Sequence, residues 1–444
     1  MKPQSDLTTS VMPNTLDLND WLDWLFAMHP TEIDLGIERV QAVAQKLGLL
    51  PYPIPVITVA GTNGKGSSVT MLAAIYETAG YQVGVYTSPH ITSFNERIRL
   101  QGHLASDSDI IDAFKTIEAG RGGIKLTYFE YATLAALWLF AKAELEVAIL
   151  EVGLGGRLDA VNLLDADACL ITAIGLDHED WLGCDVSQIA LEKAGVMRTG
   201  HPCICSDPNV PDALIQYAQS LQVPLKQINQ DFWVEKGVAK NDQAWSFLTA
   251  ATTPTSQALT GYQNLPPPAL LGEFQYQNAA GVLALISVLQ PLLPISKEAI
   301  VTGLQQVKHL GRLQKCAVNH QIWWLDVAHN PQAANALAQF LKDHPQPKVA
   351  IFSALADKDI QPMISALLPY IDVWYLADLS APRSASLQHL TDSLQQAGVL
   401  AQNIVKCASI KEAVFAAKQR AEMDVLAWGS FLTVSQTLAS LNDG

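Results

Sequence analysis

Between Val59 and Ser68 the chain reads VAGTNGKGSS, a run of glycines, small hydroxyl residues and one lysine set directly after an apolar stretch and directly before a helical pattern. Glycines let backbone amides converge on phosphate oxygens, the helix start adds its partial positive charge, and Lys65 reaches the β and γ phosphates. The chemistry implied is the holding of a nucleoside triphosphate. The run departs from the common GxxxxGK[ST] form at two places: Val59 occupies the first glycine position, and Gly66 stands where a hydroxyl residue follows the lysine. A hydroxyl for a metal ion must then come from elsewhere. A glycine-rich strand-to-helix turn without a ligand is the plain alternative.

Three further polar residues fall at the carboxyl ends of apolar runs, where open α/β sheets bind ligands. Ser88 follows Val83–Thr87, Glu151 ends Val147–Leu150, and His178 follows Ile171–Gly175. Hydroxyl, carboxylate and imidazole form a mixed set suited to Mg²⁺ on nucleotide phosphates, although imidazole is an unusual ligand for so hard a cation. Spacing alone equally admits a serine in a turn, a Glu151 paired with Arg157 and a His178 packed on Trp181. Lys193, directly after Glu192, reads by itself as a solvated charge on a helix. Asp326 and His329 read as caps of a helix beginning near Pro331.

The elements that must position these residues are strands alternating with helices. Ile54–Ala60, Val83–Ser88, Val147–Val152 and Cys169–Ile174 are short runs rich in Val and Ile, as expected of strands buried on both faces. Val69, Leu72, Tyr76 and Ala79 share one face of a helix that Gly80 ends, and Tyr128–Lys142 is long enough to be helix. A doubly wound parallel sheet follows. The polar, Thr- and Pro-rich segment Gly237–Pro268 reads as a surface excursion with little core, and helical periodicity resumes from about Asn278. The basic stretch Lys308–Lys315, KHLGRLQK, precedes a strand at Ile322–Asp326, and Val349–Ser353, Val373–Ala377 and Val425–Trp428 repeat the alternation. The expected organisation is α/β throughout: a P-loop-containing doubly wound sheet domain over residues 1–310 and a smaller Rossmann-like α/β domain over 311–444.

Composition narrows the function classes. With 49% hydrophobic and 16% charged residues, 444 residues supply ample core. A net charge of -15 offers no general field for nucleic acid or an anionic membrane, so an anionic ligand must be held by local dipoles, a cation or individual basic side chains. The six cysteines form no CxxC pair and read as free, mostly buried thiols in a reducing compartment. The first 19 residues lack the pattern of a signal peptide, and no apolar stretch is long enough to span a bilayer. A cytoplasmic protein is expected, with neither nucleic acid nor membrane as partner.

Taken together, VAGTNGKGSS, YTSPH (Tyr86–His90), FNERIRL (Phe94–Leu100), EVGLGGRLDAVN (Glu151–Asn162), LDHEDWLG (Leu176–Gly183), EKAGVMR (Glu192–Arg198) and WLDVAHNP (Trp324–Pro331) resemble the folylpolyglutamate synthases of the Mur ligase superfamily. The matches run in family order across nearly the whole chain. EIDLG (Glu32–Gly36) and LTYFEYAT (Leu126–Thr133) resemble the bacterial bifunctional type that is also a dihydrofolate synthase. The resemblance implies an ATP-dependent ligase joining L-glutamate to dihydropteroate and to reduced folates; a monomer is the expected state. It implies ATP contacts from Thr62, Asn63, Gly64, Lys65, Gly66, Ser67, Asn278, Arg312 and Asp326, and Mg²⁺ ligation by Ser88, Glu151 and His178. Lys193 matches a lysine the family carries as N6-carboxylysine, whose carbamate would serve a second Mg²⁺. Glu32, Ile33, Asp34, Leu35, Thr127, Tyr128, Phe129, Glu130 and Leu158 match segments lining the pterin pocket. One departure is visible: relatives often have a histidine in a stretch resembling MLHDKD, where this chain has ALADKD at Ala354–Asp359.

The chemistry explains why such parts are needed. A carboxylate is a poor acyl donor, so the γ-phosphoryl of ATP is first moved to it, a step of positioning and charge neutralisation. The acyl phosphate must then be kept from water until an amine attacks, which a cleft closed between two domains achieves. Lys65, Lys193 and His329 are the residues expected at this chemistry, with His329 and Asp326 as candidate bases for the amine. A monofunctional folylpolyglutamate synthase and another Mur-type amino-acid ligase are the alternatives. The latter should lack EIDLG and LTYFEYAT.

Overall fold

The computed structural model describes residues 17–28, 33–237, 244–250, 259–346 and 348–442. The first sheet has eight strands: β1 (Val56–Ala60), β2 (Val83–Tyr86), β3 (Ile98–Leu100), β4 (His103–Leu104), β5 (Val147–Glu151), β6 (Ala168–Ile171), β7 (Cys203–Cys205) and β8 (Leu225–Gln227). Their order is β4-β3-β2-β5-β1-β6-β7-β8. The strands from β2 to β8 are parallel, whereas β3 and β4 add an antiparallel edge that the hydrophobic runs did not announce. Every residue of β1 and β5 is buried, because helices cover both faces and polar residues would have no water to meet. Ile57 and Val59 enter the core on one face, Val56 and Ala60 the core on the other.

The helix Lys65–Thr78 ends at Ala79, followed by Gly80 at φ +94°, where the sequence predicts its stop. It is buried nearly all round because the helix Lys297–Gln306 lies on its outer side. Gly303 permits that approach, since a Cβ there would come 2.7 Å from Ile75 Cα.

The expectation of a core-poor excursion at Gly237–Pro268 is corrected. Its described part contains β10 (Trp245–Ala250) and β11 (Leu259–Leu265); β10 pairs antiparallel with β11 on one side and with β9 (Phe232–Lys236) on the other, in a three-stranded sheet. Trp245 and Phe247 are buried beside the helix Phe274–Leu289. The alternation of these two rings with Ser246 is a strand signal, too short to stand out among Thr and Pro residues.

The second sheet holds β12 (Gln314–Val318), β13 (Gln321–Asp326), β14 (Lys348–Phe352), β15 (Val373–Ala377), β16 (Ile404–Cys407) and β17 (Asp424–Trp428), in the order β12-β13-β17-β14-β15-β16. Only the edge strand β12 runs antiparallel. One face is covered by helices carrying Leu337, Met363 and Leu390, the other by helices carrying Ile410, Val414 and Val434. The mixed α/β reading therefore holds for both units. All six cysteines are free, four of them buried. Among the described residues no helix is long and apolar enough to cross a membrane.

Candidate active site

The loop between β1 and the helix Lys65–Thr78 is clamped from three sides. Thr62 N–H donates to Ala173 O at 2.7 Å, Thr172 Oγ1 donates to Asn63 O at 2.7 Å, and Thr62 Oγ1 exchanges bonds with Gly175 at 3.0 Å. Gly64 caps the helix at φ +93°, and a Cβ there would come 2.5 Å from Asn278 Oδ1. Asn278 is held by Gln275, whose Nε2 also reaches Ser67 Oγ at 3.3 Å. Open amides at a helix start remain for an anion. Lys65 Nζ folds back to donate to Gly61 O and Thr62 O at 3.0 and 3.2 Å. Burial lowers its pKa, opposed by the charges of Glu151 and Asp177.

Glu151, at the end of β5, is buried, and among the described residues the one hydrogen bond of its carboxylate is from Ser88 N–H to Oε2 at 3.3 Å. Burial raises its pKa, with Lys65 and Arg312 opposing. Arg157 is bound to Glu192 at 2.7 Å, so the pairing with Glu151 does not form. His178 caps the short helix Glu179–Leu182 at φ +53°, and its pKa is pushed down to about 4, first by burial. Trp181 is half exposed and makes no ring contact with His178 among the described residues. No group of three His, Cys, Asp or Glu side chains among the described residues forms a closed metal cluster. A buried carboxylate with a single long hydrogen bond beside a serine fits an ion that takes few protein ligands and keeps water and phosphate oxygens, as Mg²⁺ does.

Lys193 overturns its reading as a solvated charge. It lies in the helix Val186–Ala194 and is 3% exposed. Glu192 is taken by Arg157, and no described group accepts a hydrogen bond from the Lys193 amine. Burial, then the nearby charge of Lys65, pushes its pKa down to about 7.

Ser88, Glu151, His178, Lys65 and Lys193 line one continuous cavity of about 770 Å³. Its far end is lined by Ile33, Asp34, Leu35, Thr127, Tyr128, Phe129, Glu130 and Leu158. Glu32 lies outside the described residues. Thr127 and Glu130 form the capping box of the helix Tyr128–Lys142, with Thr127 N–H donating to Glu130 Oε2 at 2.7 Å. Arg39 bridges Asp34 at 2.6 Å and Glu130 at 3.1 Å. The aromatic pair stands over this frame: Tyr128 stacks on Phe26 at 4.1 Å, and Phe129 crosses Gly153, where a Cβ would come 2.6 Å from Cζ. Gly36 N–H to Leu158 O at 3.2 Å ties the two segments together.

The second unit contributes the opposite wall. Asp326 accepts from Leu313 N–H and Ala328 N–H, both at 2.8 Å, and Arg312 lies 5.3 Å over the Phe431 ring. The helix Pro331–Lys342 is capped by Asn330, whose Oδ1 accepts from Ala333 N–H at 2.9 Å. The expectation that Asp326 or His329 caps it is corrected, since both point into the cavity instead. His329 Nδ1–H donates to Val327 O at 2.8 Å, and Nε2 lies 3.3 Å from Asp177 Oδ2.

Several residues here escaped sequence reasoning. Asp177 is approached by Asn330 at 3.0 Å and Lys358 at 2.7 Å in addition to His329. Burial alone would raise its pKa, but the bond and charge of His329, then His178 and Lys358, hold it well below the usual carboxylate range. Asn63 and Asn330 exchange side-chain hydrogen bonds at 3.1 and 3.2 Å, and Asn63 also reaches Gln332 at 2.6 Å. A Cβ on Gly66 would come 2.8 Å from His309 Nε2, so an imidazole fills the place where the common loop carries its hydroxyl. The missing hydroxyl at Gly66 was the one signal available for that partner.

Comparison with known proteins agrees with this geometry. The family model of the Mur ligase middle domain matches residues 59–286, and that of the Mur ligase glutamate ligase domain matches residues 311–431. A dihydrofolate synthase/folylpolyglutamate synthase of Escherichia coli is 41% identical over 95% of this chain and 94% of its own length. The E. coli FolC structure in complex with DHPP and ADP superposes with TM-score 0.87 at 39% identity, covering 96% of this chain and 98% of that one. A Yersinia pestis bifunctional folylpolyglutamate synthase/dihydrofolate synthase complexed with AMPPNP and Mn superposes with TM-score 0.84 at 39% identity, over 96% and 98% of the two chains. With likeness of this extent over both units, the chain belongs to the Mur ligase superfamily and, within it, to the dihydrofolate synthase/folylpolyglutamate synthase family.

Proposed function

We propose that this protein is an ATP-dependent carboxylate-amine ligase that adds L-glutamate to 7,8-dihydropteroate, forming dihydrofolate, and to tetrahydrofolate, forming folylpolyglutamates. The observation that carries the reading is the single cavity joining a phosphate loop, a buried carboxylate and two buried lysines to a pocket of stacked aromatic rings. The γ-phosphoryl moves from ATP to a substrate carboxylate oxygen and ADP leaves. The glutamate amine then attacks the acyl carbon, phosphate departs, and the amine gives up a proton.

Residues 1–310 form the ATP- and pterin-binding unit in this reading, and 311–444 the glutamate ligase unit. Thr62, Asn63, Gly64, Lys65, Gly66 and Ser67 hold the phosphates, with Asn278, Arg312 and Asp326 on the nucleotide. Ser88, Glu151 and His178 hold one Mg²⁺ and carboxylated Lys193 a second. These ions supply charge neutralisation when bound. Lys65 adds its own charge at the phosphates, and closure of the second unit excludes water. His329 and Asp326 are the candidate bases for the amine: His329 Nε2 must leave Asp177, 3.3 Å away, to accept a proton, and both oxygens of Asp326 accept backbone N–H bonds. The protein works as a cytoplasmic monomer. ADP release is expected to require dihydropteroate or a reduced folate, and product to require glutamate. ADP release indifferent to both would overturn the reading.

Asp34 carries the pterin assignment. Replacement by Ala is expected to lower kcat/KM with dihydropteroate by about tenfold or more, the scale for losing a contact to a charged group. The ion pair with Arg39 is partly exposed, so stability should change by no more than about 1 kcal/mol. Equal losses with every substrate together with a lowered melting temperature would assign Asp34 to structure. A wild-type enzyme that extends tetrahydrofolate but makes no dihydrofolate would leave the monofunctional alternative standing.

A further inference from the structure

Arg97 ends the short turn Phe94–Arg97 that leads into β3, and it is 7% exposed yet lines the cavity. The one hydrogen bond of its guanidinium among the described residues runs from Nε–H to His90 Nδ1 at 2.9 Å. That bond fixes His90 as an acceptor at Nδ1. The lone pair at His90 Nδ1 is thereby spent on Arg97. The guanidinium lies over the rings of Phe94 and Tyr128, at 5.6 and 5.4 Å from their centroids.

No described carboxylate forms an ion pair with Arg97, and its two terminal nitrogens donate to no described protein group. The contrast with its neighbours is complete: Arg39, Arg99, Arg121, Arg157 and Arg198, the other arginines up to residue 237, each hold a carboxylate. A guanidinium taken out of water without an anion is strongly disfavoured unless a ligand supplies one. Its place narrows the choice of ligand. Tyr128 belongs to the aromatic end of the cavity, and His90 is two residues from Ser88, whose N–H is bound to Glu151. Arg97 thus stands at the junction of the ring-binding end and the phosphate end.

We infer that Arg97 holds the carboxylate of the folate-type substrate that accepts the phosphoryl group, and keeps hold of the acyl phosphate it becomes. The inference rests on the ligase reading above. The planar fork matches a carboxylate with two parallel N–H···O bonds, which an ammonium cannot reproduce. His90 and the two rings keep the fork from rotating away. Nothing in the nucleotide loop is needed for this role.

The test compares binding, with ADP present, of dihydropteroate and of an analogue whose carboxylate is replaced by a methyl group, by calorimetry on wild type, Arg97→Met and Arg97→Lys. Wild type is expected to prefer the carboxylate by about tenfold or more, the scale of a charge-assisted pair. In Arg97→Met that preference vanishes while affinity for the methyl analogue and for ADP is retained, and Arg97→Lys keeps only part of it. A preference that persists in Arg97→Met, or equal weakening of both ligands, would overturn the inference and leave Arg97 as a packing residue. Weakened ADP binding would move the guanidinium to the nucleotide. The same comparison with tetrahydrofolate and its γ-amide keeps Arg97 testable should dihydropteroate not be a substrate. A wild type that prefers neither carboxylate ligand overturns the inference, whereas the ligase reading falls only if ADP release is indifferent to the folate substrate.

Discussion

Lys65→Ala and Glu151→Ala each lower ADP formation by about two orders of magnitude or more, the usual scale for losing a charge that acts on the transition state. Neither change should disturb the fold. Lys65 donates only to two loop carbonyls, and the loop keeps its shape through Thr172, Ala173, Gly175 and the close approach of Asn278 to Gly64. Glu151 accepts one long bond from Ser88 N–H, and burial already disfavours its charge, so its removal relieves an unfavourable group. Coupled-assay rates and melting curves on the same preparations check both halves. Near-normal turnover in either variant would remove the nucleotide site from this loop.

The second large effect concerns Lys193. Its amine is buried, without a hydrogen-bond acceptor among the described residues, and neutral above about pH 7. Only a neutral amine adds CO₂, forming an N–C bond and releasing one proton to solvent. The product places an anion near Lys65, where an ammonium on Lys193 would be repelled. Carbamate occupancy is therefore expected to rise as pH increases through about 7 and to fall in acid, read by ¹³C NMR with labelled bicarbonate. Lys193→Ala should lose about a hundredfold in activity, with part restored by added short-chain carboxylates. An unmodified ammonium at pH 8 in bicarbonate, with ATP bound, would count against the carbamate.

The parallel strands were legible because burial on both faces leaves continuous runs such as Val147–Glu151, and the helix Tyr128–Lys142 could be read from its length and apolar run. The short edge strands β3 and β4 carry no such run, and the sheet around Trp245 and Phe247 hides in polar sequence. For the site, spacing located the loop and the strand ends, but not which side chains meet. Lys193 looks solvated because nothing local records that the loop after β5 lies against its helix, with Gly156 so close that a Cβ would come 2.6 Å from Glu192 O. Arg97 is one charged residue among several in FNERIRL, and a missing counter-ion is visible only in three dimensions. Asp177 and Lys358 stand 181 positions apart and pair through the fold alone.

The hydrogen bonds of Asn63 to Asn330 and Gln332 have a thermodynamic consequence. Asn63 sits in the loop proposed to hold phosphate, yet its side chain is spent on the opposite unit. Ligand affinity and the open-to-closed equilibrium are then two readings of one coupling free energy, and reciprocity requires that whatever nucleotide does for closure, closure does equally for nucleotide. A chain in which phosphate contacts and the interface share a residue cannot tune one without the other.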